Sequence, residues 1–233
     1  MLFLIQTSLA PIKLGCFLKT DQIRMKFYDC KTAPSSRRAR IFIAEKGIDV
    51  ETIYVDLASR EHMGQEFRRI NPKCTVPVLE ILDGTRFTTT AAIWAYLESK
   101  YPNPALMGET AKERGVITDI QWQIEINGFL AMAEFLRNSA PAMKNRALPG
   151  PYDYEQIPDL ADRGKSRTLQ FLSDIEEIIG DKPYVAGDKF SIADIDLLVF
   201  VDFARWRKLT LPPTSTNALR WYHTIRKRPS SKI

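Results

Sequence analysis

The hydrophobic positions in the first third of the chain follow strand and helix patterns in turn. Lys26–Asp29 has the pattern of a short strand. Pro34–Gly47 begins with a proline and two serines, continues with apolar residues at helical spacing and ends on glycine, which predicts a helix. The β-branched run Val50–Val55 predicts a second strand. This order predicts a βαβ unit whose two strands are parallel.

A proline interrupts the next strand pattern, Thr75–Leu79. Because proline cannot donate a hydrogen bond to a sheet, Pro77 belongs at the start or edge of a strand, and it is a candidate for a cis peptide bond. Asp83-Gly84 then predicts a hairpin turn into a strand at Thr85–Thr88. A helix follows and ends at Pro102, so the order is βαβ, a hairpin and a helix.

The remainder of the chain has helical periodicity only. A long helix begins near Ile117 and extends toward Asn138, and the proline-rich segment Pro141–Pro158 connects it to the next helix. Three more helices are predicted, around Leu169–Ile179, Ile192–Ala204 and Ala218–Lys227. Together they predict a helical bundle.

The segment Phe190–Ile195 contains the signature of a helix start. Ser191 and Asp194 have the spacing of a capping box, and Phe190 and Ile195 stand at the two positions of a hydrophobic staple. This signal is structural, and such a cap contributes about 1 kcal/mol.

These patterns predict an α/β module followed by an all-α module. We place the first at residues 25–101, a linker at 102–109 and the all-helical module at 110–233. Residues 1–24 are predicted to be a non-essential extension, because Met25 starts a new strand pattern. Polar residues interrupt the apolar residues upstream, so that segment matches neither a membrane span nor a secretory signal.

Composition narrows the class of protein. Hydrophobic residues make up 45% and charged residues 26% of the chain, which is typical of a packed globular protein. Its three cysteines form no C-x-x-C pair and it has two histidines, so we expect neither a disulfide framework nor a metal centre. This cysteine usage favours a reducing compartment, and we predict a cytoplasmic location.

The net charge of +5 raises the question of an anionic partner. The densest basic clusters, Arg37–Arg40 and Arg226–Arg228, are short and have no interleaved aromatic residues for base stacking. We therefore interpret both as solvated surface and predict that the protein binds neither nucleic acid nor a membrane.

The order of elements resembles the cytosolic glutathione transferase family. Four segments carry the resemblance in the family's order: the loop and first helix, an N-P-x-x-x-V-P stretch, an E-S-x-A-I-like segment and a G-D-x-x-S-I-A-D box. They lie at Pro34–Gly47, Asn71–Pro77, Thr89–Ile93 and Gly187–Asp194. The resemblance implies a thioredoxin-like N-terminal domain, glutathione as co-substrate, and a symmetric homodimer that packs the α/β module of one chain against the helices of the other.

The resemblance also implies where glutathione binds. The Val76 backbone beside Pro77 would pair with the extended tripeptide, and the start of the third helix would offer N–H groups and hydroxyls to a carboxylate. The implied cofactor-binding residues are Ser36, Thr75, Val76, Pro77, Thr89 and Thr90. Two interpretations stay open for the three arginines of Arg37–Arg40, which either face water or raise the local potential for an anionic ligand.

The activating residue departs from the family pattern. Serine-using members carry a hydroxyl immediately before the loop proline, where this chain has Ala33. Ser35 and Thr32 are the hydroxyls predicted to stabilise a glutathione thiolate instead, although turn or cap roles would also explain them. Thr89 replaces the acidic residue that pairs with the ligand's ammonium in the family, which predicts weaker binding.

Other groups have both chemical and structural interpretations. Cys30, or Cys74 in the segment before Pro77, could be a redox nucleophile, yet each is better explained as a small core residue. An electrophile pocket is expected between the loop 33–36 and the helical module. Four aromatic residues could line it or belong to the core: Trp122, Phe129, Phe203 and Trp206.

The leading hypothesis is a transferase that conjugates the glutathione thiolate to small hydrophobic electrophiles. A second is a glutathione-binding or interaction protein of the same family without catalytic activity, which Ala33 and Thr89 would explain. A third is a glutathione-dependent disulfide or peroxide reductase, which would need no cysteine of its own if two glutathione molecules took part.

Overall fold

The N-terminal module is built on a four-stranded sheet. The structure, a computed structural model, describes residues 24–233, so the predicted N-terminal extension lies, apart from Arg24, outside the described residues. The strands β1 (Lys26–Asp29), β2 (Glu51–Tyr54), β3 (Val78–Glu80) and β4 (Arg86–Phe87) lie in the order β2-β1-β3-β4. β1 and β2 are parallel, as predicted, and β3 is antiparallel to both β1 and β4.

Three helices complete this module in the predicted βαβ–ββα order: α1 (Pro34–Glu45), α2 (Gln65–Ile70) and α3 (Thr90–Lys100). The first residue of α1 is Pro34, whose missing N–H costs nothing at that position. Gly47 has a left-handed φ of 62°, which a glycine adopts easily, and this ends the chain's helical path. These features are local, which explains why the sequence pattern located the helix.

The third strand begins later than predicted. β3 starts at Val78, one residue after Pro77, and the Val76–Pro77 bond is cis. The side chain of Asn71 donates to both the carbonyl oxygen and the hydroxyl oxygen of Thr75, at 2.8 and 3.0 Å. The segment before Pro77 is therefore held by Asn71 instead of by a neighbouring strand.

The C-terminal module consists of helices, as predicted. α4 (Ala111–Gln123) continues through a π-helical turn (Ile124–Leu130) into α5 (Ala131–Ser139), which confirms the long helix toward Asn138. The others are α6 (Pro158–Ile179), α7 (Ile192–Ala204), α8 (Thr216–Ile225) and a final 3₁₀ turn, Pro229–Lys232. No helix within residues 24–233 has the length and apolar character needed to cross a membrane.

Close packing of α5 on α6 depends on Gly164. A Cβ atom at this position would lie 2.5 Å from the backbone nitrogen of Phe135 and 2.6 Å from the carbonyl oxygen of Ala131. Because both of these atoms belong to a helix backbone, they cannot move aside for a side chain. Glycine at this position therefore allows the two helices to approach this closely.

Helix α7 is the buried centre of the C-terminal module, and its capping box forms as predicted. The Ser191 hydroxyl accepts from the backbone of Ala193, and the Asp194 carboxylate accepts the Ser191 N–H at 3.0 Å. The same carboxylate also accepts the indole N–H of Trp221 at 2.8 Å and the Val185 N–H at 3.0 Å. Burial raises the pKa of Asp194 to about 6.

Two arginines of α1 join the two modules, which contradicts their interpretation as solvated surface. Buried Arg38 contacts the Asp196 carboxylate at 2.6 Å and the Glu125 carboxylate at 2.8 Å. Arg37 pairs with Asp202 at 2.6 Å. Arg38 therefore does not face water, and α7 presents a carboxylate directly opposite each of the two arginines.

Two further basic residues differ from their predicted surface roles in the same way. Arg40 binds Asp29, which is completely buried at the end of β1, at 2.6 Å. Arg228, in the basic tail, pairs with Glu45 at the end of α1, also at 2.6 Å. The basic clusters of the sequence are thus partly used in holding elements together.

Candidate functional site

Ser35 connects three segments that the sequence assigned to one site. Its hydroxyl donates a 2.9 Å hydrogen bond to the carbonyl oxygen of Val76. Its own carbonyl oxygen accepts a 3.2 Å hydrogen bond from the hydroxyl of Thr90, the first residue of α3. The start of α1, the segment before β3 and the start of α3 therefore meet around this serine.

The loop before α1 presents an exposed hydroxyl, and the first turn of α1 presents a buried one. Thr32 is exposed, and its oxygen lies 3.4 Å from the sulfur of Cys30. Ser36 is completely buried, and its hydroxyl oxygen accepts the backbone N–H of Cys30 at 3.3 Å. Ser36, which was predicted to bind the cofactor, thus lies in the first turn of α1 with its hydroxyl oxygen bonded to the loop backbone, and its binding role stays a prediction.

Ala33 stands at the N-cap of α1 and provides no side-chain cap. Pro34 has no N–H, so the first N–H groups at this helix end belong to Ser35 and Ser36, which have no acceptor within the helix. The positive end of the helix dipole lies here and favours a negatively charged group. The helix end can thus stabilise a thiolate without a hydroxyl at position 33.

The remaining predicted binding residues lie around Ser35 at the ends of two elements. Thr89 is the N-cap of α3, where its hydroxyl accepts the Ala92 N–H at 3.2 Å. Pro77 is buried, and Thr75 is half-buried and held by Asn71. The first turn of α3 contains no acidic side chain, so a carboxylate ligand would meet no local repulsion there.

A hollow of about 40 Å³ lies between this loop and the helical module, where the electrophile pocket was expected. Its walls are formed by residues of the loop, α1, α7 and the turn after α7: Lys31, Thr32, Ala33, Pro34, Arg37, Val199, Asp202, Phe203 and Trp206. Phe203 and Trp206 were predicted here. Phe129 is instead a core residue against Phe200, and Trp122 is 61% exposed on α4.

Both described cysteines are buried free thiols. Cys30 is 6% exposed and Cys74 is 2% exposed, which agrees with their interpretation as core residues. Within residues 24–233, no three His, Cys, Asp or Glu side chains are placed to hold a metal ion together.

Comparison with known proteins identifies the family. The model described as "Glutathione S-transferase, N-terminal domain" matches residues 32–100, and "Glutathione S-transferase, C-terminal domain" matches residues 135–229. Glutathione S-transferase 2 of Saccharomyces cerevisiae is 31% identical over 212 residues, which cover 90% of this chain and 88% of that protein. The chain belongs to the glutathione S-transferase family.

Further relatives share most of the chain. The maleylacetoacetate isomerase of Pseudomonas aeruginosa is 30% identical over 180 residues, covering 75% of this chain and 78% of the isomerase. The crystal structure of a glutathione S-transferase domain-containing protein from Marinobacter aquaeolei matches with a TM-score of 0.80 and 32% identity, covering 88% of this chain and 99% of that one. The predicted family and the thioredoxin-like plus helical fold are therefore confirmed.

Sequence reasoning missed three residues at the site. Asn71 fixes Thr75, and its signal was its place at the head of the N-P-x-x-x-V-P stretch. Lys31 and Asp202 line the hollow, one on either side. No local pattern in the sequence identifies Lys31 or Asp202 as part of the site, because the hollow forms only when α7 packs on the N-terminal module.

Proposed function

We propose that this glutathione S-transferase family member is a glutathione-dependent transferase that acts on small hydrophobic electrophiles. The observation that carries the proposal is the position of Ser35. Its hydroxyl donates to the carbonyl oxygen of Val76, and its carbonyl oxygen accepts from the hydroxyl of Thr90. A hydroxyl, a helix N-terminus and a strand edge thus converge on one place. Those are the groups that an extended, thiol-bearing peptide requires.

Glutathione would lie along the backbone at Val76. The cysteinyl N–H of the tripeptide would donate to the Val76 carbonyl oxygen, in the manner of an added strand. A carbonyl oxygen has two lone pairs and can accept this bond, while the hydroxyl proton of Ser35 turns toward the sulfur. That rotation is favourable because a hydrogen bond to an anionic acceptor is about twice as strong as one between neutral groups.

The thiolate would then attack an electrophile in the hollow beside the loop. A carbon–sulfur bond forms, the leaving group departs with the bonding electrons, and the thiol proton is released to solvent before attack. Phe203 and Trp206 provide apolar walls for the second substrate. The small volume of about 40 Å³ favours compact electrophiles or ones that extend into solvent.

Calorimetry with reduced glutathione and with S-hexylglutathione tests binding, and conjugation to 1-chloro-2,4-dinitrobenzene tests chemistry. In that reaction the sulfur replaces chloride, which leaves as an anion. We expect both ligands to bind and the enzyme to accelerate conjugation above the uncatalysed rate. Absence of binding at millimolar ligand would overturn the proposal.

The same measurements distinguish the second candidate, a glutathione-binding protein without catalysis. Ala33 at the N-cap of α1 and Thr89 at the N-cap of α3 favour it, because neither supplies the group that the family pattern has there. Binding of both ligands with no conjugation of several electrophiles would support this candidate. Disulfide and peroxide reduction with two equivalents of glutathione would test the reductase alternative.

We also propose a homodimer in the cytoplasm, with the α/β module of one chain against the helices of its partner. Buried free thiols at Cys30 and Cys74 are consistent with a reducing compartment. Light scattering on the purified chain would give twice the 26.7 kDa mass of one chain. A monomer at micromolar concentration would contradict the proposed dimer.

A further inference from the structure

A tight turn directly after β1 presents Lys31 at its tip. The Ala33 N–H donates to the carbonyl oxygen of Cys30 at 3.1 Å, which closes the turn. The carbonyl oxygen of Lys31 accepts a 3.4 Å hydrogen bond from Arg40, and Arg40 is itself bound to the buried carboxylate of Asp29. The backbone of Lys31 is therefore held in place, whereas the residue as a whole is exposed.

The hollow beside this turn has three charged residues in its walls, Lys31, Arg37 and Asp202. Arg37 and Asp202 neutralise each other, because a guanidinium nitrogen lies 2.6 Å from a carboxylate oxygen. Within residues 24–233, no carboxylate oxygen lies within 4.0 Å of the Lys31 ammonium. Among the described residues, the walls of the hollow thus carry one positive charge that no carboxylate compensates.

The contact that the Lys31 ammonium does make is a weak one. It lies 4.6 Å from the centroid of the Tyr54 ring, and Tyr54 is 55% exposed. A cation–π contact at an exposed site is weaker than a hydrogen bond between two charged groups. Lysine carries its three donors on a flexible stem, so the ammonium can leave the ring for an anionic oxygen without breaking an ion pair.

Two aromatic residues line the same hollow. The rings of Phe203 and Trp206 are nearly perpendicular, at 85°, and their centroids lie 5.1 Å apart. An aromatic substrate can pack against this pair in the offset-stacked or edge-to-face geometry that aromatic rings prefer. Because the hollow has a volume of only about 40 Å³, part of such a ring and its substituents stay in contact with water.

A carboxylate on such a ring would meet favourable conditions beside Lys31. It keeps part of its hydration at the rim of the hollow, so it avoids the free-energy cost of full burial. The ammonium supplies the opposite charge, while the pair of Arg37 and Asp202 adds no net charge. Apolar contact with one part of a small ligand and a single polar contact with another part fix its orientation.

We propose that the second substrate is an aromatic electrophile that bears a carboxylate, and that Lys31 determines this specificity by pairing with it. The inference rests on the proposed function, because it concerns the second substrate of the same reaction. The glutathione sulfur bonds to the electrophilic carbon, the leaving group departs with the bonding electrons, and the thiol proton goes to solvent. The carboxylate takes no part in this exchange and stays on the product.

Two electrophiles that differ in charge test the proposal: 4-chloro-3,5-dinitrobenzoate and its methyl ester. In both, the sulfur displaces chloride from the same ring carbon. Lys31→Gln should lower the ratio of kcat/KM for the benzoate to kcat/KM for the ester about fivefold, as expected for the loss of one exposed ion pair. The change should lie in a higher KM for the benzoate, and Lys31→Arg should retain the ratio.

Lys189→Gln is the control, because Lys189 is an exposed lysine outside the hollow that pairs with Glu109 at 2.6 Å. It removes the same charge from the protein and should leave the ratio unchanged. A ratio in Lys31→Gln equal to that of the unsubstituted protein would overturn the proposal. This includes the case in which both rates fall together, since Lys31 would then act on glutathione and not on the electrophile.

Binding of the two reaction products separates this inference from the proposed function. Calorimetry measures the affinities of the glutathione conjugates of the benzoate and of the ester for the unsubstituted protein and for Lys31→Gln. If neither electrophile is conjugated, but the benzoate product binds more tightly and loses this preference in Lys31→Gln, the Lys31 site stands and the transferase activity fails. If the ester is conjugated and the two products bind alike, the transferase activity stands and the Lys31 site is overturned.

Discussion

The hydroxyl of Ser35 and the carbonyl oxygen of Val76 are joined by a 2.9 Å hydrogen bond across 41 positions of sequence. This bond places a hydroxyl at the N-terminus of α1 beside the backbone group that an extended ligand would pair with. Ser35 is the hydroxyl that we propose acts in place of the one that the family pattern has at position 33. The chemistry expected of the site therefore depends on this contact.

Ser35→Ala should raise the pKa of the thiol of bound glutathione by about one unit. The reason is the loss of one hydrogen bond to the thiolate, which contributes about 1.5–3 kcal/mol when the acceptor is charged. Ultraviolet absorbance of the thiolate as a function of pH measures this value. Thr32→Val is the matched variant, and an unchanged thiol pKa in both would eliminate the hydroxyls as activating groups.

Trp206→Ala should lower kcat/KM for an aromatic electrophile about tenfold, through a higher KM. An aromatic contact contributes on the order of 1 kcal/mol beyond its buried area, and Trp206 forms a wall of the hollow. Trp122→Ala is the control, since Trp122 is similarly exposed but lies on α4 outside the hollow. Equal losses in the two variants would show that the electrophile binds elsewhere.

Arg38→Gln should reduce the free energy of unfolding by about 3–5 kcal/mol. The substitution removes the buried cation and leaves the two carboxylates that pair with it without a counter-charge. The partners are Asp196, which is completely buried, and Glu125. Urea unfolding measures the change, and Arg163→Gln at the surface should leave the urea midpoint nearly unchanged. A small effect of Arg38→Gln would mean that the pair stabilises the fold no more than a surface contact does.

Within residues 24–233, the capping box at the start of α7 and the one that Thr110 and Glu113 form at the start of α4 should differ strongly in their effect on stability. Asp194→Ala removes the acceptor of three buried donors, the N–H groups of Val185, Ser191 and Trp221, and should cost on the order of 3 kcal/mol or more. Glu113→Ala breaks the exposed box at the start of α4, where water replaces the lost acceptor, so its effect should be much smaller. Thermal unfolding of both variants compares them, and similar losses would contradict this account of burial.

Acidification should destabilise the protein through His62. Because burial and then Arg146 and Arg137 hold its folded-state pKa below the ordinary value, the unfolded chain binds more protons as the pH falls below about 6.5. The free energy of unfolding should therefore decline as the pH falls from about 7 to 5. His62→Gln should flatten this part of the pH profile relative to His223→Gln, and parallel profiles would show that His62 does not contribute.

The sequence by itself determined the order and type of the elements. Pro34, Gly47 and the box at Ser191–Asp194 act within a few residues, so their geometry follows from local backbone rules. Periodicity likewise identified the βαβ unit and the long helix toward Asn138. The family followed from four such local segments in a fixed order.

Only the tertiary structure decided which polar groups meet. Periodicity gives the face that a helix buries, but not the residue that a distant element places opposite it. The sequence alone could not show that Arg38 pairs with Asp196, 158 positions away. Nor could it show that the Ser36 hydroxyl accepts the backbone N–H of Cys30. The contact of Arg146 with Met63, 83 positions away, arises in the same way, because it requires both modules.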